Sequence, residues 1–310
     1  MSLDYQNNNP IQPLTTLETL HFKVADLCFA IQADNKQQIK RLLPSYAPFY
    51  IQQGSDSVLA LVATIADGMI SAEAEGKVLG QFDCGGTNHA IYQLEEGYKV
   101  VISTVEGRLA CAMKTNADFS RCDISLLGEE KDHSFGLGNA MMIAFAFAAS
   151  YYGTILMHAS VTMNGGYGYL FLGKSGTGKS THSSLWRKHI DGSDLLNDDN
   201  PAIRIQPNGQ VFVYGTPWSG KTPCYRNMKM PAGAFLRLEQ YPENIISRET
   251  PLRAFASILS SCSTMIWDKP SYNHITHTVE IVAQQVPAFY LKCRPDKEAA
   301  QLSYQTISRN

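Results

Sequence analysis

The chain has 310 residues, of which 44% are hydrophobic and 17% are charged, a composition that supports a sizeable core. Its 26 Lys and Arg residues against 28 Asp and Glu residues leave a formal net charge of −2, which argues against nucleic acid or an anionic membrane as a partner. Seven scattered cysteines without a Cys-x-x-Cys pair, and a polar start without an apolar stretch, predict reduced thiols, no secretory signal and a cytoplasmic location.

The first part of the chain is typical of a β-rich domain. Up to about residue 130, short runs such as "FKVADLCFAI", "SVLALVATI" and "YKVVISTVEGRLACAMK" carry β-branched or alternating apolar residues, as strands do. One helix-like piece, "NKQQIKRLLPSY", is cut short by Pro44, because proline cannot continue a helix. The charged, turn-prone "GEEKDHS" follows and is a plausible boundary. We therefore predict a smaller β-rich accessory domain of unknown role over residues 1–130 and a second domain over residues 131–310.

An uncharged run at the start of the second domain resembles a membrane span in length. It contains "AMMIAFAFAASYYGTILM", residues 140–157, whose 18 residues reach the lower limit for a spanning helix. The run is rich in alanine, is interrupted by Ser150 and Gly153, and continues into a strand pattern. These features favour a buried helix followed by central strands, so we expect no membrane partner.

After this helix, apolar strands alternate with helices. The strand "TILMHASV" is followed by the strand "YGYLFLG", the helix "KSTHSSLWRKHI" and the strand "DLLNDD". Further strand-like runs alternate with helical segments to the end of the chain. This alternation predicts an α/β fold with a partly parallel central sheet.

A glycine-rich motif between a strand and a helix predicts a nucleotide site. The segment Gly173-x-x-x-x-Gly178-Lys179-Ser180 fits the P-loop pattern, in which glycines let backbone N–H groups approach phosphates. Lys179 would reach the β and γ phosphates, and the Ser180 hydroxyl would ligate Mg²⁺. The cofactors predicted are ATP and Mg²⁺, and the predicted nucleotide contacts are Gly173, Ser175, Gly176, Thr177, Gly178, Lys179, Ser180 and Thr181.

Two adjacent carboxylates follow the next predicted strand. Asp198 and Asp199 end the apolar run in "DLLNDDNPAIRI", where one could contact a metal and the other an incoming nucleophile. The alternative is a turn made with Asn197 and Asn200, which such sequences also favour. The P-loop motif nearby favours the functional interpretation.

Histidines occur in two further places where a functional interpretation competes with a purely structural one. His158 lies in a long uncharged run, where a lone histidine is usually a core residue, although beside the Asp pair it could orient a carboxylate or share its proton. "HITH", residues 274–277, spaces two histidines for a metal on a helix, but no nearby Cys or carboxylate completes a site. Its threonines and Val279 predict a strand instead.

The stretch "MHASVTMNGGYGYLFLGKSGTGKSTHSSLW…LLNDDNPAIRI" resembles the catalytic domain of HPr kinase/phosphorylase. That bacterial enzyme phosphorylates a serine of the phosphocarrier protein HPr, and its nucleotide fold is related to phosphoenolpyruvate carboxykinase. The resemblance covers roughly residues 150–220 and includes the histidine before the P-loop strand, here His158. It implies that Asp198 accepts the proton of the substrate hydroxyl, which leaves Asp199 as the carboxylate that contacts the metal. Related enzymes assemble as homo-oligomers, which makes a homo-oligomer one possible state, but the sequence leaves the oligomeric state open.

The chain departs from that family in two places. Phe212 and Tyr214 stand where the family carries a metal-binding Glu and an Arg, which puts phosphorolysis in doubt. Residues 1–130 do not resemble the family's N-terminal domain. A second Gly-Lys segment, "GTPWSGK", could bring Lys221 to the phosphates, although a surface loop lysine is an equal alternative.

These patterns together predict a Mg²⁺-ATP-dependent kinase whose partner is a hydroxyl acceptor on a protein or a small molecule. The alternative is a nucleotide-binding regulatory module that performs no phosphotransfer. A transporter ATPase and a GTPase are disfavoured, because the chain has neither a Leu-Ser-Gly-Gly-Gln nor an Asn-Lys-x-Asp motif.

Overall fold

A computed structural model describes residues 16–52, 59–66, 68–83, 88–220 and 222–309. Within these ranges the chain forms two large sheets and six α-helices. The first sheet holds nine described strands in the order β3-β1-β2-β4-β9-β8-β7-β6-β5. They are β1 (Glu18–Val24), β2 (Leu27–Ala33), β3 (Tyr50–Ile51), β4 (Leu59–Ile65), β5 (Lys77–Asp83), β6 (Asn88–Gln93), β7 (Tyr98–Ser103), β8 (Leu109–Thr115) and β9 (Arg121–Leu126).

This first sheet confirms that the N-terminal part is rich in strands. The pairs β2–β4 and β4–β9 are parallel, whereas the other pairs along the sheet are antiparallel. Helix α1 (Lys36–Leu42) begins after Asn35, whose side-chain oxygen accepts bonds from two backbone N–H groups of the first turn. A 3₁₀ turn, Pro44–Phe49, follows it, so the helix ends before Pro44 as predicted.

Helix α2 (Glu130–Ala148) packs across the first sheet, mainly on β8. Gly136 permits this approach, since a Cβ atom there would lie 2.6 Å from the carbonyl oxygen of Ala110. With the turn that follows it, the helix is long and apolar enough to cross a membrane, but 67% of its most apolar stretch is buried within the protein. The helix therefore serves as a core element, in the position where its composition predicts one.

The second sheet also holds nine described strands. Seven of them follow the order β10-β14-β15-β16-β12-β11-β13. β18 pairs with both β16 and β17. The strands are β10 (Thr154–Leu156), β11 (Ala159–Asn164), β12 (Tyr167–Leu172), β13 (Asp194–Asp199), β14 (Ala202–Ile205), β15 (Val211–Tyr214), β16 (Lys229–Gln240), β17 (Ile245–Arg248) and β18 (Ala288–Cys293). Because β16 is parallel to β12 and to β18, the predicted partly parallel sheet is confirmed.

Helices cover both faces of the second sheet. On one face, α3 (Lys179–His189) and α6 (Lys297–Ile307) bury an apolar cluster around Trp186. On the other face lie α4 (Pro251–Leu259) and α5 (Lys269–Gln285). The predicted strand at residues 274–277 is wrong, because these residues belong to α5.

The two sheets share one apolar core. The ring of Phe145 on α2 lies 5.1 Å from the ring of Trp218 and 5.8 Å from the ring of Phe29. The indole N–H of Trp218 donates to the hydroxyl of Tyr46 at 2.8 Å. Residues from both predicted domains therefore pack together, and the division at residue 130 stays a prediction.

Candidate active site

The ends of three neighbouring strands bring the predicted site residues together. β11 is antiparallel to β12 on one side and to β13 on the other, with Ser160 opposite both Phe171 and Asp198. The start of β11 therefore lies beside the ends of β12 and β13. His158 precedes β11, the glycine-rich loop (residues 173–178) follows β12, and the Asp pair ends β13. Residues far apart in the sequence thus meet at one edge.

Three glycines of the glycine-rich loop have positive φ angles. Gly173, Gly176 and Gly178 have φ angles of 150°, 81° and 100°, which favour glycine. At Gly173 a Cβ atom would also lie 2.4 Å from the hydroxyl oxygen of Thr177. The loop leads into α3, so its backbone and the positive end of the helix dipole adjoin each other, an arrangement that favours phosphate.

Lys179 points its ammonium group back into the loop. The residue is only 8% exposed, and its Nζ atom donates to the carbonyl oxygens of Gly173, at 3.0 Å, and of Lys174, at 3.3 Å. Burial lowers the pKa of the Lys179 ammonium below its usual value, whereas the charges of Asp199 and Asp198 act in the opposite direction. A cation is therefore held at the centre of the loop.

Ser180 connects the loop to the Asp pair. Its hydroxyl donates to Oδ1 of Asp198 at 2.8 Å, and Asp198 is only 3% exposed. A hydroxyl oxygen and a carboxylate oxygen are the hard ligands that Mg²⁺ prefers. The loop and the end of β13 thus offer adjoining oxygen ligands.

Asp199 faces His158. Nε2 of His158 lies 3.1 Å from Oδ1 of Asp199, and the side chains are 46% and 40% exposed. The alternative interpretation of His158 as a buried core residue is therefore wrong. The second carboxylate oxygen of Asp199 accepts a bond from the Asn200 amide at 3.0 Å. Asp199 also has a φ of 128°, a conformation that is strained for a residue with a side chain.

Residues 215–220, which belong to the "GTPWSGK" segment, hold the Asp pair from outside the sheet, a role that the sequence does not predict. The backbone N–H of Gly220 donates to the carbonyl oxygen of Asp198 at 2.5 Å, and the Ser219 hydroxyl lies 3.0 Å from the same oxygen. A Cβ atom on Gly220 would lie 3.0 Å from that of Asp199, so only glycine fits easily. Two glycines in "GTPWSG" are the only sequence signal of this close approach. Lys221, predicted to reach the phosphates, lies outside the described residues.

Asn197 ties this segment to the end of β13. The residue is fully buried, and its amide donates to the hydroxyl of Thr216 at 3.2 Å and to the carbonyl oxygen of Trp218 at 3.3 Å. Its own side-chain oxygen accepts from the backbone N–H of Asn200 at 3.1 Å. The turn that was the alternative interpretation of the Asn and Asp residues is therefore present, and it supports the Asp pair.

Tyr214, one of the two residues at which the chain departs from the resemblance, bonds to the turn between β1 and β2, whereas Phe212 lies beside Lys229 of β16. The Tyr214 hydroxyl donates to Asp26 at 2.6 Å, and Asp26 also pairs with Lys229 at 2.7 Å. Burial, together with the hydrogen bond to Asp26, raises the pKa of Tyr214 above its usual value. The Lys229 ammonium lies 5.3 Å from the centre of the Phe212 ring. The bonds of Tyr214 and Lys229 to Asp26 therefore join the two sheets.

Within the described ranges, no three His, Cys, Asp or Glu side chains lie close enough together to hold a metal ion. Mg²⁺ does not need such a cage, because it usually keeps several waters and binds one or two carboxylates together with substrate phosphates. Ser180 and the two carboxylates provide that smaller set. The donor set therefore fits a magnesium ion that arrives with a nucleotide.

Comparisons with known proteins show a distant likeness to a solved structure. No protein-family model matches the chain, and no curated protein sequence matches it. Among solved structures, the chain is similar to the Hpr(Ser) kinase/phosphatase from Coxiella burnetii, with 15% sequence identity and a TM-score of 0.29. The match covers 48% of this chain and 86% of that chain. A likeness of this size carries neither family nor function, so the candidate site rests on its own residues.

Proposed function

We propose that this chain is a kinase that transfers the γ-phosphoryl group of Mg²⁺-ATP to a serine-type hydroxyl on a protein or a small molecule. One observation carries the proposal. The glycine-rich loop with its buried Lys179, the Ser180–Asp198 hydrogen bond and the Asp199–His158 pair meet at the same edge of the second sheet. On this reading, residues 131–310 are a P-loop nucleotide domain of the HPr kinase and phosphoenolpyruvate carboxykinase type.

Each residue has a separate role in the proposed reaction. The loop N–H groups and Lys179 hold the phosphates, while Ser180 and Asp199 hold the metal ion. Bound Mg²⁺ supplies charge neutralisation at the transferred phosphoryl group. Asp198 orients the acceptor hydroxyl and takes its proton. A carboxylate is a weak base for an alcohol, but phosphoryl transfer needs proton acceptance only late, since its transition state is loose.

The proposal predicts that two substitutions in the site have different effects. Lys179→Ala removes the cation inside the loop, so both ATP binding and phosphoryl transfer should be lost. Asp198→Asn should leave ATP binding in place and lower the transfer rate by about 10²–10⁴-fold, which is the usual contribution of a positioned base. Calorimetric titration with ATP and a transfer assay with labelled ATP measure the two effects.

Lys188→Ala is the matched control, because Lys188 is an exposed lysine further along α3. This variant should bind and transfer like the unmodified protein. A wild-type transfer rate in Asp198→Asn would contradict the role given to Asp198. Because Ser180 donates to Asp198, the two carboxylates could also exchange roles. Restoration of transfer in Asp198→Asn, but not in Asp199→Asn, by excess Mg²⁺ would assign the metal to Asp198.

The acceptor can be sought directly. Purified protein, labelled ATP and a cell extract separated into protein and small-molecule fractions should give a labelled acceptor other than water. The Lys179→Ala variant, run in parallel, removes background from kinases in the extract. Tight ATP binding with no labelled acceptor would instead identify a nucleotide-binding regulatory module.

A further inference from the structure

A cavity adjoins the glycine-rich loop, and neither member of the Asp pair is among the described residues that line it. Its volume is about 600 Å³, within the range of small-molecule sites. The loop contributes Gly176 and Gly178 to its wall, α3 contributes Thr181 and Leu185, and the segments after β16 and β18 close it. Apart from the loop itself, no residue of the cavity wall has a role in the reaction steps described above.

The position of the Asp pair indicates which end of a bound nucleotide would face the cavity. Ser180 and Asp198 lie at one side of the loop and define the end where the metal and the reacting phosphate belong. Among the described residues, the cavity wall includes Thr181 and the loop glycines but neither member of the Asp pair. A nucleoside triphosphate whose γ-phosphate faces Asp198 therefore directs its other end, the nucleoside, towards this cavity.

The lining has the chemistry that a nucleoside requires. Tyr241, a residue that is 40% exposed, offers an aromatic ring in the cavity wall. Leu185 adds an apolar surface on α3. The Gln240 amide donates to the carbonyl oxygen of Gly176 at 3.1 Å, so the wall that carries Tyr241 is bonded to the tip of the loop.

We propose that this cavity binds the nucleoside part of the nucleoside triphosphate, with the base stacked on the Tyr241 ring. The inference rests on the proposed function, because it takes the phosphates to lie in the loop. It adds a site that the P-loop motif does not predict, since Tyr241 lies more than sixty residues beyond the loop in sequence (241 − 178 = 63).

The test compares ATP with inorganic tripolyphosphate, which carries the phosphates without a nucleoside. Tyr241→Ala should weaken ATP binding by about 5- to 150-fold, which corresponds to about 1–3 kcal/mol for one stacked base. Tripolyphosphate binding should not change. Tyr241→Phe keeps the ring and should bind ATP like the unmodified protein. Leu185→Trp places a bulkier side chain in the cavity and should also weaken only ATP binding.

Tyr152→Ala is the matched control, because Tyr152 is exposed to a similar extent, 42%, and does not line the cavity. Unchanged ATP affinity in both Tyr241→Ala and Leu185→Trp overturns the inference while leaving the proposed function intact. Equal losses for ATP and tripolyphosphate in Tyr241→Ala also overturn it, since the residue would then act on the loop. Failure of the unmodified protein to bind either ligand overturns the proposed function, and the inference with it.

Discussion

At the scale of single residues, the position of the His158 imidazole depends on a hydrogen bond of its backbone. Its N–H donates to the carbonyl oxygen of Ser261 at 2.7 Å, so the turn after α4 fixes the start of β11. The imidazole then lies 3.1 Å from Asp199. A histidine held in this way can orient the carboxylate without contacting the phosphates itself.

His158→Ala should therefore lower phosphoryl transfer by about 10- to 100-fold, the usual effect of losing a group that orients a metal-binding carboxylate. Its apparent Mg²⁺ requirement should rise, because Asp199 would be less well oriented. The measurement is the transfer rate as a function of Mg²⁺ concentration at saturating ATP.

His277→Ala serves as the control for this variant, since the His277 side chain is 72% exposed on α5. It should leave both the transfer rate and the Mg²⁺ dependence unchanged. An unchanged Mg²⁺ requirement in His158→Ala, whatever its rate, would contradict the orienting role of His158.

At the scale of elements, α2 is joined to the start of β8 by one ion pair. The Arg108 guanidinium donates two bonds to the Asp132 carboxylate, at 2.8 and 2.7 Å. The hydrogen bonds from Arg108 hold the pKa of Asp132 below its usual value. Two parallel hydrogen bonds between a planar guanidinium and a carboxylate fix the relative orientation of the two groups, which a surface ion pair with a single contact does not do.

Asp132→Asn should lower the urea midpoint of unfolding at pH 7 and leave it much less changed near pH 2. The lowered pKa means that the carboxylate stabilises the folded chain above the ordinary aspartate pKa, about 3.9. That stabilisation is lost as the pH falls through the lower pKa of the folded state. Urea titrations of both proteins across this range measure the difference.

Glu106→Gln is the control for the ion pair, because Glu106 is 63% exposed and lies farther from Arg108, at 3.4 Å. Exposed pairs contribute little to stability, so its urea midpoint should stay close to that of the unmodified protein. A difference between Asp132→Asn and the unmodified protein that did not depend on pH would count against an effect of the charge.

Elements built from local signals could be predicted from the sequence, but one helix could not. The strand, glycine turn and helix around residues 169–189 follow from apolar spacing and glycines alone. In α5, β-branched residues suggested a strand. There, Asp268 caps the helix by accepting from the N–H of Ser271, and the Thr276 hydroxyl donates to the carbonyl oxygen of Tyr272. Thr278 bonds to His274 in the same way. Capping and packing therefore override propensity.

At the scale of the whole molecule, contacts between distant parts of the sequence could not be predicted. Asp26 bonds to Tyr214, and Asn197 bonds to Thr216 and Trp218, without any local pattern that announces these contacts. The P-loop, the Asp pair and His158 could be named because each follows or precedes a recognisable strand. The support that residues 215–220 give to the Asp pair could not be predicted, since it depends on the chain returning to the end of β13.

The shared core predicts that the two sheets unfold together. Far-UV circular dichroism, which reports both sheets, and tryptophan fluorescence, which reports residues 186, 218 and 267, should give the same denaturant midpoint. Phe145→Ala removes a buried ring between the sheets and should lower the free energy of unfolding by about 3–5 kcal/mol. Both probes should shift equally.

Tyr152→Ala provides the comparison for Phe145→Ala, since it removes a ring that is 42% exposed. Its midpoint should change far less. Two separate midpoints, or a Phe145→Ala shift seen by only one probe, would mean that the halves unfold independently and that the boundary near residue 130 divides two autonomous units.

The backbone of Asp199 has a consequence for attempts to make the protein more robust. A residue with a side chain at a φ of 128° carries strain of about 1–3 kcal/mol, which glycine would relieve. Asp199→Gly is thus a substitution that a screen for heat resistance should select. If Asp199 holds the metal ion, the same variant is inactive. Stability and activity would then oppose each other at this position, and a thermal screen without an activity assay would select against function.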